Sequence, residues 1–304
     1  MIGSSGDLKC RSEVQIALSM KICSSIAEGR AACRAARASG KRLGLVPTMG
    51  ALHEGHLSLV RAARAQCDAV AVSIFVNPTQ FGPKEDLAKY PRPFDRDCRL
   101  LEKEGVEILF APAVEEIYPK SNSNAEGTWV VVEGLSEKLD GRSRPGHFRG
   151  VTTIVSKLFH ILEPEAAFFG QKDAAQLAVI RRMVCDLNFA VEIVACPIVR
   201  ESDGLAMSSR NAYLDGEERR HALVLQRSLQ ETRQRFQAGE RTAARLIAAA
   251  MEVLARVPQV ALDYFEMVDP ETLDPVEQVS QATLVAVAAY VGSTRLIDNT
   301  VLNP

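Results

Sequence analysis

No stretch of this 304-residue chain approaches the ~20 consecutive apolar residues that a membrane span needs. Met1 to Ser19 lacks a basic start followed by an apolar block, so no secretory leader is expected. Charge of one sign is also missing. The formal net charge is -2, which argues against nucleic-acid or membrane partners held by bulk charge, although basic residues can cluster locally. The cysteines supply no framework. There are seven, at 10, 23, 33, 67, 98, 185 and 196, odd in number, scattered and without a Cys-x-x-Cys pair. They read as reduced thiols of a cytoplasmic protein, several of them core residues. No internal repeat or low-complexity block occurs.

With 47% hydrophobic residues and a length that suits about two domains, the chain can bury an ordinary core. Its most informative stretch is Gly44-Leu-Val-Pro-Thr-Met-Gly-Ala-Leu-His-Glu-Gly-His56. Lys41 to Val46 is a short apolar run closed by Pro47, and Leu57, Val60, Ala63 and Cys67 then recur at the helix period. The stretch therefore reads strand, turn, helix, preceded by a helix over Ile26 to Ser39 that Gly40 ends. Such a turn aims unpaired N–H groups and the positive end of the helix dipole at one spot, where an anion such as phosphate is favoured. Gly50 and Gly55 allow close backbone approach, and His53 and His56 put imidazoles at the same mouth. By themselves the two histidines would also suit a surface helix start, or half of a metal site for which no third Cys or His stands at metal-site spacing.

Ala69 to Val76 is a continuous apolar run, as in a parallel strand covered on both faces, so strand, helix and strand suit the right-handed crossover of a doubly wound sheet. Asn77-Pro-Thr-Gln-Phe-Gly82 lies just past its carboxyl end, where open parallel sheets bind ligands. Asn77 and Gln80 are pocket candidates there, though the same residues punctuate ordinary turns. Lys84 to Asp97, charged and interrupted by proline, reads as a loop over the mouth. Glu107 to Ala111 and Thr128 to Glu133 are further strand candidates. The basic, glycine-rich loop Lys138 to Gly150 precedes a helix over Val151 to Leu162, so Arg144 and His147 either face phosphates or belong to a solvated loop. Glu165 to Gly170, the turn Gln171-Lys172-Asp173 and the helix Ala174 to Leu187 repeat the opening geometry. Lys172 is thereby placed to neutralise phosphate, with Gln176 one turn along the same cleft. Val191 to Val199 is the last strand of this half.

Beyond it the character changes. Glu201 to Asn211 is polar and flexible, charged helices are expected at 216–238 and 240–256, and Val260 to Val268, Thr283 to Val291 and Thr294 to Val301 suit a small antiparallel sheet. We expect an extension over residues 1–19, with Met20 a second candidate start, a first domain over 20–198 and a C-terminal α+β lid domain over 199–304. Ser208-Ser-Arg210 is then a loop that closes on the cleft, or a plain linker.

Six strings together resemble one family: Pro47-Thr-Met-Gly-Ala-Leu-His-Glu-Gly-His56, Phe75-Val-Asn-Pro-Thr-Gln-Phe-Gly82, Tyr90-Pro-Arg92, Gly141-Arg-Ser-Arg-Pro-Gly-His-Phe148, Phe169-Gly-Gln-Lys-Asp173 and Asp203-Gly-Leu-Ala-Met-Ser-Ser-Arg-Asn211. In this order, from about Met20 to the C-terminus, they resemble the pantothenate synthetases, or pantoate–β-alanine ligases. The resemblance implies an α/β fold with a Rossmann-like, doubly wound parallel sheet that binds ATP and pantoate, a smaller C-terminal α+β domain and a homodimer. It also implies condensation of pantoate with β-alanine, driven by cleavage of ATP to AMP and pyrophosphate. A carboxylate resists an amine because its leaving group would be oxide, so the acid must first become a mixed anhydride. Pantoate's carboxylate is already ionised at neutral pH, and the demand is for charge neutralisation and in-line positioning.

By resemblance, His53 and His56 bind the nucleotide and stabilise the transition state, His56 holding the catalytic position. Lys172, Ser208, Ser209 and Arg210 grip the phosphates, with Lys172 and Arg210 counted among the catalytic groups. The ATP site extends over Met49, Gly50, Ala51, Leu52, Glu54 and Gly55, over Gly170, Gln171 and Asp173, and over Val199 and Met207. Gln80 and Gln176 hold pantoate, with Asn77, Arg144 and His147 as further substrate contacts. Mg2+ arrives on the ATP phosphates, and Asp97 is the candidate protein ligand. Arg96 stands where the family's segment is typically acidic, and Gln171 where it often has Glu. Partners are otherwise the small molecules pantoate, β-alanine and ATP. A plain nucleotidyltransferase and a non-catalytic nucleotide-binding descendant are the alternatives. Gln80, Gln176 and the Met-Ser-Ser-Arg string speak against the first, and the intact His53, His56, Lys172 and Arg210 set against the second.

Overall fold

The computed structural model describes residues 20–83, 85–119 and 127–304, and the extension expected over residues 1–19 lies outside them. The first half runs β1 (Lys21–Cys23), α1 (Ile26–Ala38), β2 (Leu43–Thr48), α2 (Glu54–Gln66), β3 (Ala69–Ile74), α3 (Phe94–Lys103), β4 (Ile108–Phe110) and the short α4 (Val114–Ile117). It continues with α5 (Asp140–Ser143), α6 (His147–Leu162), β5 (Ala166–Gly170), α7 (Ala174–Asp186) and β6 (Glu192–Cys196). Then come α8 (Gly216–Gln237), α9 (Ala243–Leu254), β7 (Val260–Val268), β8 (Thr283–Val291) and β9 (Thr294–Leu302).

Strands β1 to β6 form one parallel sheet in the order β1-β4-β3-β2-β5-β6. From β2 the chain builds outward through β3 to β4, then crosses back to lay β5 and β6 on the other side. The switch point therefore lies between β2 and β5, whose outgoing connections diverge. Only Gly44 and Leu45 of β2 pair with Ala166 and Ala167 of β5, so the two strands part before their carboxyl ends. Pro47, read as closing the strand, instead lies inside β2 opposite Ser73 of β3. Its missing N–H breaks no bond, because it falls on the β5 side after that ladder has ended.

Alternation explains why these strands are apolar throughout. Leu43, Leu45, Ala69, Ala71, Ala167 and Phe169 enter a core shared with α1, α6 and α7. Val46, Val70, Val72, Ala166 and Phe168 enter the opposite one, under α2 and α3. In the C-terminal part β7, β8 and β9 form an antiparallel sheet. Val285, Val287, Ala289 and Val291 of β8 pack beneath α8 and α9. Leu284, Ala286 and Ala288 point the other way, into the core that holds Leu158 and Ile161 of α6. The small sheet is thus seated against the large domain.

Three segments differ from expectation. Thr128 to Glu133 joins no ladder. The Val130 N–H donates to Thr153 Oγ1 at 3.1 Å and its carbonyl accepts from Thr152 Oγ1 at 2.6 Å, so helix side chains do what a neighbouring strand would have done. The loop expected through Asp97 ends at Pro93, because Cys98 and Leu101 are buried by packing α3 onto the sheet. Helix α6 begins at His147 rather than Val151, which puts that histidine on its first turn.

Candidate active site

The turn after β2 contains two consecutive left-handed residues, Gly50 (φ 80°) and Ala51 (φ 52°). Glycine adopts that conformation freely and alanine does not, so the turn needs an anchor. Asp97 supplies it. The residue is 1% exposed, and its two oxygens accept the Ala51 and Leu52 N–H groups at 2.7 and 2.9 Å. Arg96 adds a bond to the Leu52 carbonyl at 3.0 Å. Asp97, expected as the protein ligand for the metal, thus has each carboxylate oxygen bonded to one N–H beneath the turn. Gly50, Ala51 and Leu52 shape the turn without lining the cleft, and Glu54 turns away from it to pair with Arg61.

His53 caps α2 and His56 sits on its first turn, with ring centroids 4.0 Å apart. The His53 N–H donates to His56 Nδ1 at 3.3 Å, which places the proton of a neutral His56 ring on Nε2. Burial, then His53 and Lys172, push the His56 imidazole down to about 3. Burial and Lys172 push His53 down to about 4. Both rings are therefore neutral near pH 7. His53 Nδ1 is buried with no hydrogen-bond partner among the described residues. Gly55 is required beside it, since a Cβ there would lie 2.9 Å from the His53 ring.

Across the switch point β5 ends at Gly170, and Gln171–Asp173 forms a 3-10 turn into α7. Gln171 stays outside the lining, whereas Lys172, Asp173 and Gln176 join His53 and His56 around a cavity of about 230 Å³. Met49, Gly170, Val199, Met207, Ser208 and Ser209 also line it. The Met207 N–H donates to the Val199 carbonyl at 3.0 Å. Ser208 Oγ accepts from the Arg210 N–H, and Ser209 Oγ lies 3.2 Å from the Tyr90 hydroxyl. Arg210 donates through Nε and Nη2 to Asp86 at 3.0 and 2.8 Å.

The remaining wall is a network around Gln80. Asn77, 1% exposed, donates to Gln80 Oε1 and to the Gly150 carbonyl, both at 3.1 Å. Its own oxygen accepts from Thr79 Oγ1 and from the Tyr118 hydroxyl at 2.9 and 3.0 Å. Gly150 permits this close packing, because a Cβ there would meet the Thr79 carbonyl at 2.5 Å. His147 donates from Nδ1 to the Gln80 carbonyl at 2.8 Å and accepts from Arg144 at Nε2 at 3.0 Å. Arginine has no lone pair to offer, so this tautomer is forced. Burial and the Arg144 charge push His147 down to about 4. Arg144 also pairs with Glu85 through two bonds, at 2.8 and 2.6 Å. Asn77 and His147 were expected as substrate contacts. Both line the cavity, with polar atoms bonded internally to Gln80, Gly150 and Arg144. The charged loop offered a signal for Glu85 and Asp86 that sequence reading did not use. For Tyr118 and for Ser73, whose buried hydroxyl lines the cavity without a partner among the described residues, there was no local signal at all.

Arg144, Lys172, Gln176 and Arg210 also wall a wider cleft of about 1000 Å³ between the two parts of the chain. Fold and cleft define a class: an α/β enzyme working at the switch point of a doubly wound parallel sheet, equipped for anionic, phosphate-bearing ligands. Comparison with known proteins carries this further. A family model described as pantoate-beta-alanine ligase matches residues 21–301, and the chain belongs to that family. The pantothenate synthetase of Koribacter versatilis is 59% identical over 93% of this chain and 96% of its own length. That of Thermotoga neapolitana is 57% identical over 93% and 100%. Among solved structures, the pantothenate synthetase of Thermus thermophilus superposes with a TM-score of 0.88 at 46% identity, covering 94% of this chain and 100% of that one. The Francisella tularensis enzyme, complexed with β,γ-ATP and β-alanine, gives 0.75 at 31% identity over 92% and 97%. The chain is accordingly a ligase that forms the C–N bond between pantoate and β-alanine.

Proposed function

We propose that the cavity at the switch point carries out both halves of an ATP-driven condensation. The pantoate carboxylate attacks the α-phosphorus of ATP and displaces pyrophosphate, and the β-alanine amine then attacks the pantoyl carbonyl of the adenylate and displaces AMP. The observation that supports this reading is the opposition of two neutral imidazoles, His53 and His56, to Lys172, with Ser208, Ser209 and Arg210 closing from the C-terminal side. Neutral rings leave N–H donors for phosphoryl oxygens without adding a buried charge, while Lys172 and Arg210 answer the charge of departing pyrophosphate. Gln80 and Gln176 hold pantoate beside them, and Arg144 borders the same pocket. A plain nucleotidyltransferase would have no use for this second, amide-lined side.

Mg2+ would arrive on the ATP phosphates and need few protein ligands, with Asp97 as the candidate one. A bound ion adds positive charge at the phosphoryl oxygens. We place the protein in the cytoplasm as a homodimer, with domains divided at 198/199 and the Ser208–Arg210 loop as the closing element. No helix among the described residues is long and apolar enough to cross a membrane.

The decisive experiment is pantoate-dependent exchange of labelled pyrophosphate into ATP with Mg2+, first without β-alanine and then with it. Exchange that requires pantoate, followed by AMP and pantothenate when β-alanine is added, is expected. Exchange independent of pantoate, or AMP transfer without amide formation, would overturn the two-step reading.

A further inference from the structure

Strand β9 faces the wide cleft, and three of its side chains reach three different site loops. Arg295 donates from Nη1 to Asp140 at 2.7 Å and from Nε and Nη2 to Asp263 at 3.0 and 2.7 Å. The Tyr264 hydroxyl takes the other Asp140 oxygen at 3.2 Å, and Ser143 Oγ donates to Asp263 at 2.9 Å. Asp140 opens α5, which hands the chain directly to Arg144. Asp298, 3% exposed, receives two bonds from Arg200 at 2.7 and 2.9 Å. Arg200 begins the segment that delivers Ser208 to Arg210, and bridges to Ala206 within it. Asn299, also 3% exposed, donates through Nδ2 to the carbonyls of Gln171 and Lys172, each at 2.9 Å.

A strand needed only to close a core would present apolar side chains at such buried positions, because sealed polar groups destabilise unless bonded. Here Arg295, Asp298 and Asn299 each bond to a different loop, and each loop carries a cation of the site, while Asn299 Oδ1 has no partner among the described residues. We propose that β9 sets the register of the site: Arg295, Asp298 and Asn299 are positioning residues for Arg144, for the Ser208–Arg210 loop and for Lys172 respectively. The proposal rests on the roles assigned above to Arg144 and Lys172, on the pantoate and phosphate sides of the cavity.

The test is exchange kinetics on the full chain carrying Arg295→Lys or Asn299→Ala, alone and combined with Arg144→Ala or Lys172→Ala, with Tm recorded for each. Arg295→Lys raises KM for pantoate about tenfold, and Asn299→Ala lowers kcat about tenfold with KM for pantoate unmoved, the size expected when a reacting group is misplaced by under an ångström. Asn299→Ala then adds nothing on the Lys172→Ala background, and Arg295→Lys adds nothing on Arg144→Ala. If the single variants move all constants together in step with Tm, and their effects add fully on the second backgrounds, β9 only joins the two parts and the proposal falls. If Arg144→Ala and Lys172→Ala do not themselves separate KM from kcat, the role assignments fail, and the positioning claim built on them falls with them.

Discussion

His56 shows how burial selects a chemical form. Its Nδ1 accepts the His53 N–H, and burial, then the neighbouring His53 and Lys172, push its imidazole down to about 3. If it acts as the neutral donor proposed above, exchange under saturating substrates should show no acid limb centred on 6.5, histidine's ordinary value. A midpoint there in the parent that vanishes in His56→Gln would contradict the neutral form. His56→Ala should lower exchange about 10²-fold, the usual scale for removing one electrostatic contact to a transition state, with the fold intact by circular dichroism. Near-normal exchange in that variant would remove His56 from the reaction. Gly55→Ala should fail for a different reason, because its Cβ displaces the His53 ring rather than the chain.

At the scale of elements, the turn between β2 and α2 depends on a helix distant in sequence. Asp97→Ala leaves the buried Ala51 and Leu52 N–H groups without acceptors, which should destabilise the protein by about 2–4 kcal/mol, read from urea midpoints. Asp97→Asn, which keeps the shape and one acceptor, should raise the Mg2+ concentration for half-maximal exchange. An unchanged value would leave Asp97 to the turn alone. The loop between β3 and α3 presents a second case. Arg210 and Arg144, proposed above to meet the anionic ligands, are paired with the adjacent acids Asp86 and Glu85. An incoming phosphate must compete with the Asp86 carboxylate for Arg210. Asp86→Asn should therefore lower KM for ATP several-fold. A raised KM would show that Asp86 orients Arg210 instead of competing for it.

For the molecule as a whole, three imidazoles, His53, His56 and His147, are held neutral down to about 4, 3 and 4. Their folded pKa values lie below the unfolded 6.5, so between these limits the unfolded chain binds more protons than the folded one. Their contribution to stability is present in full above 6.5 and is lost as pH falls from there toward 4. Urea midpoints should decline over that window, and replacing His147 with Gln should flatten the decline. Deleting residues 1–19 should leave exchange and Tm unchanged, since the family match begins at 21. A large loss would assign the extension a structural role.

Local pattern was enough for much of this. Runs such as Ala69 to Ile74 and Ala166 to Gly170 announce buried parallel strands, and Gly, His and Lys at the turns after β2 and β5 announce an anion site, because strand period and helix-start chemistry are properties of neighbouring residues. The order of motifs carried the family resemblance for the same reason. Long-range partnership was not legible. That Asp97 anchors a turn, that Thr152 and Thr153 take the place of a strand beside Val130, and that Asn77 and His147 bond to Gln80 and Arg144 all depend on which segments packing brings together. A side chain's free valences are known only once its neighbours are. The same holds for β9: nothing local to Thr294 to Val301 singles out Arg295, Asp298 and Asn299 until the fold sets them against three loops more than 80 residues away in sequence.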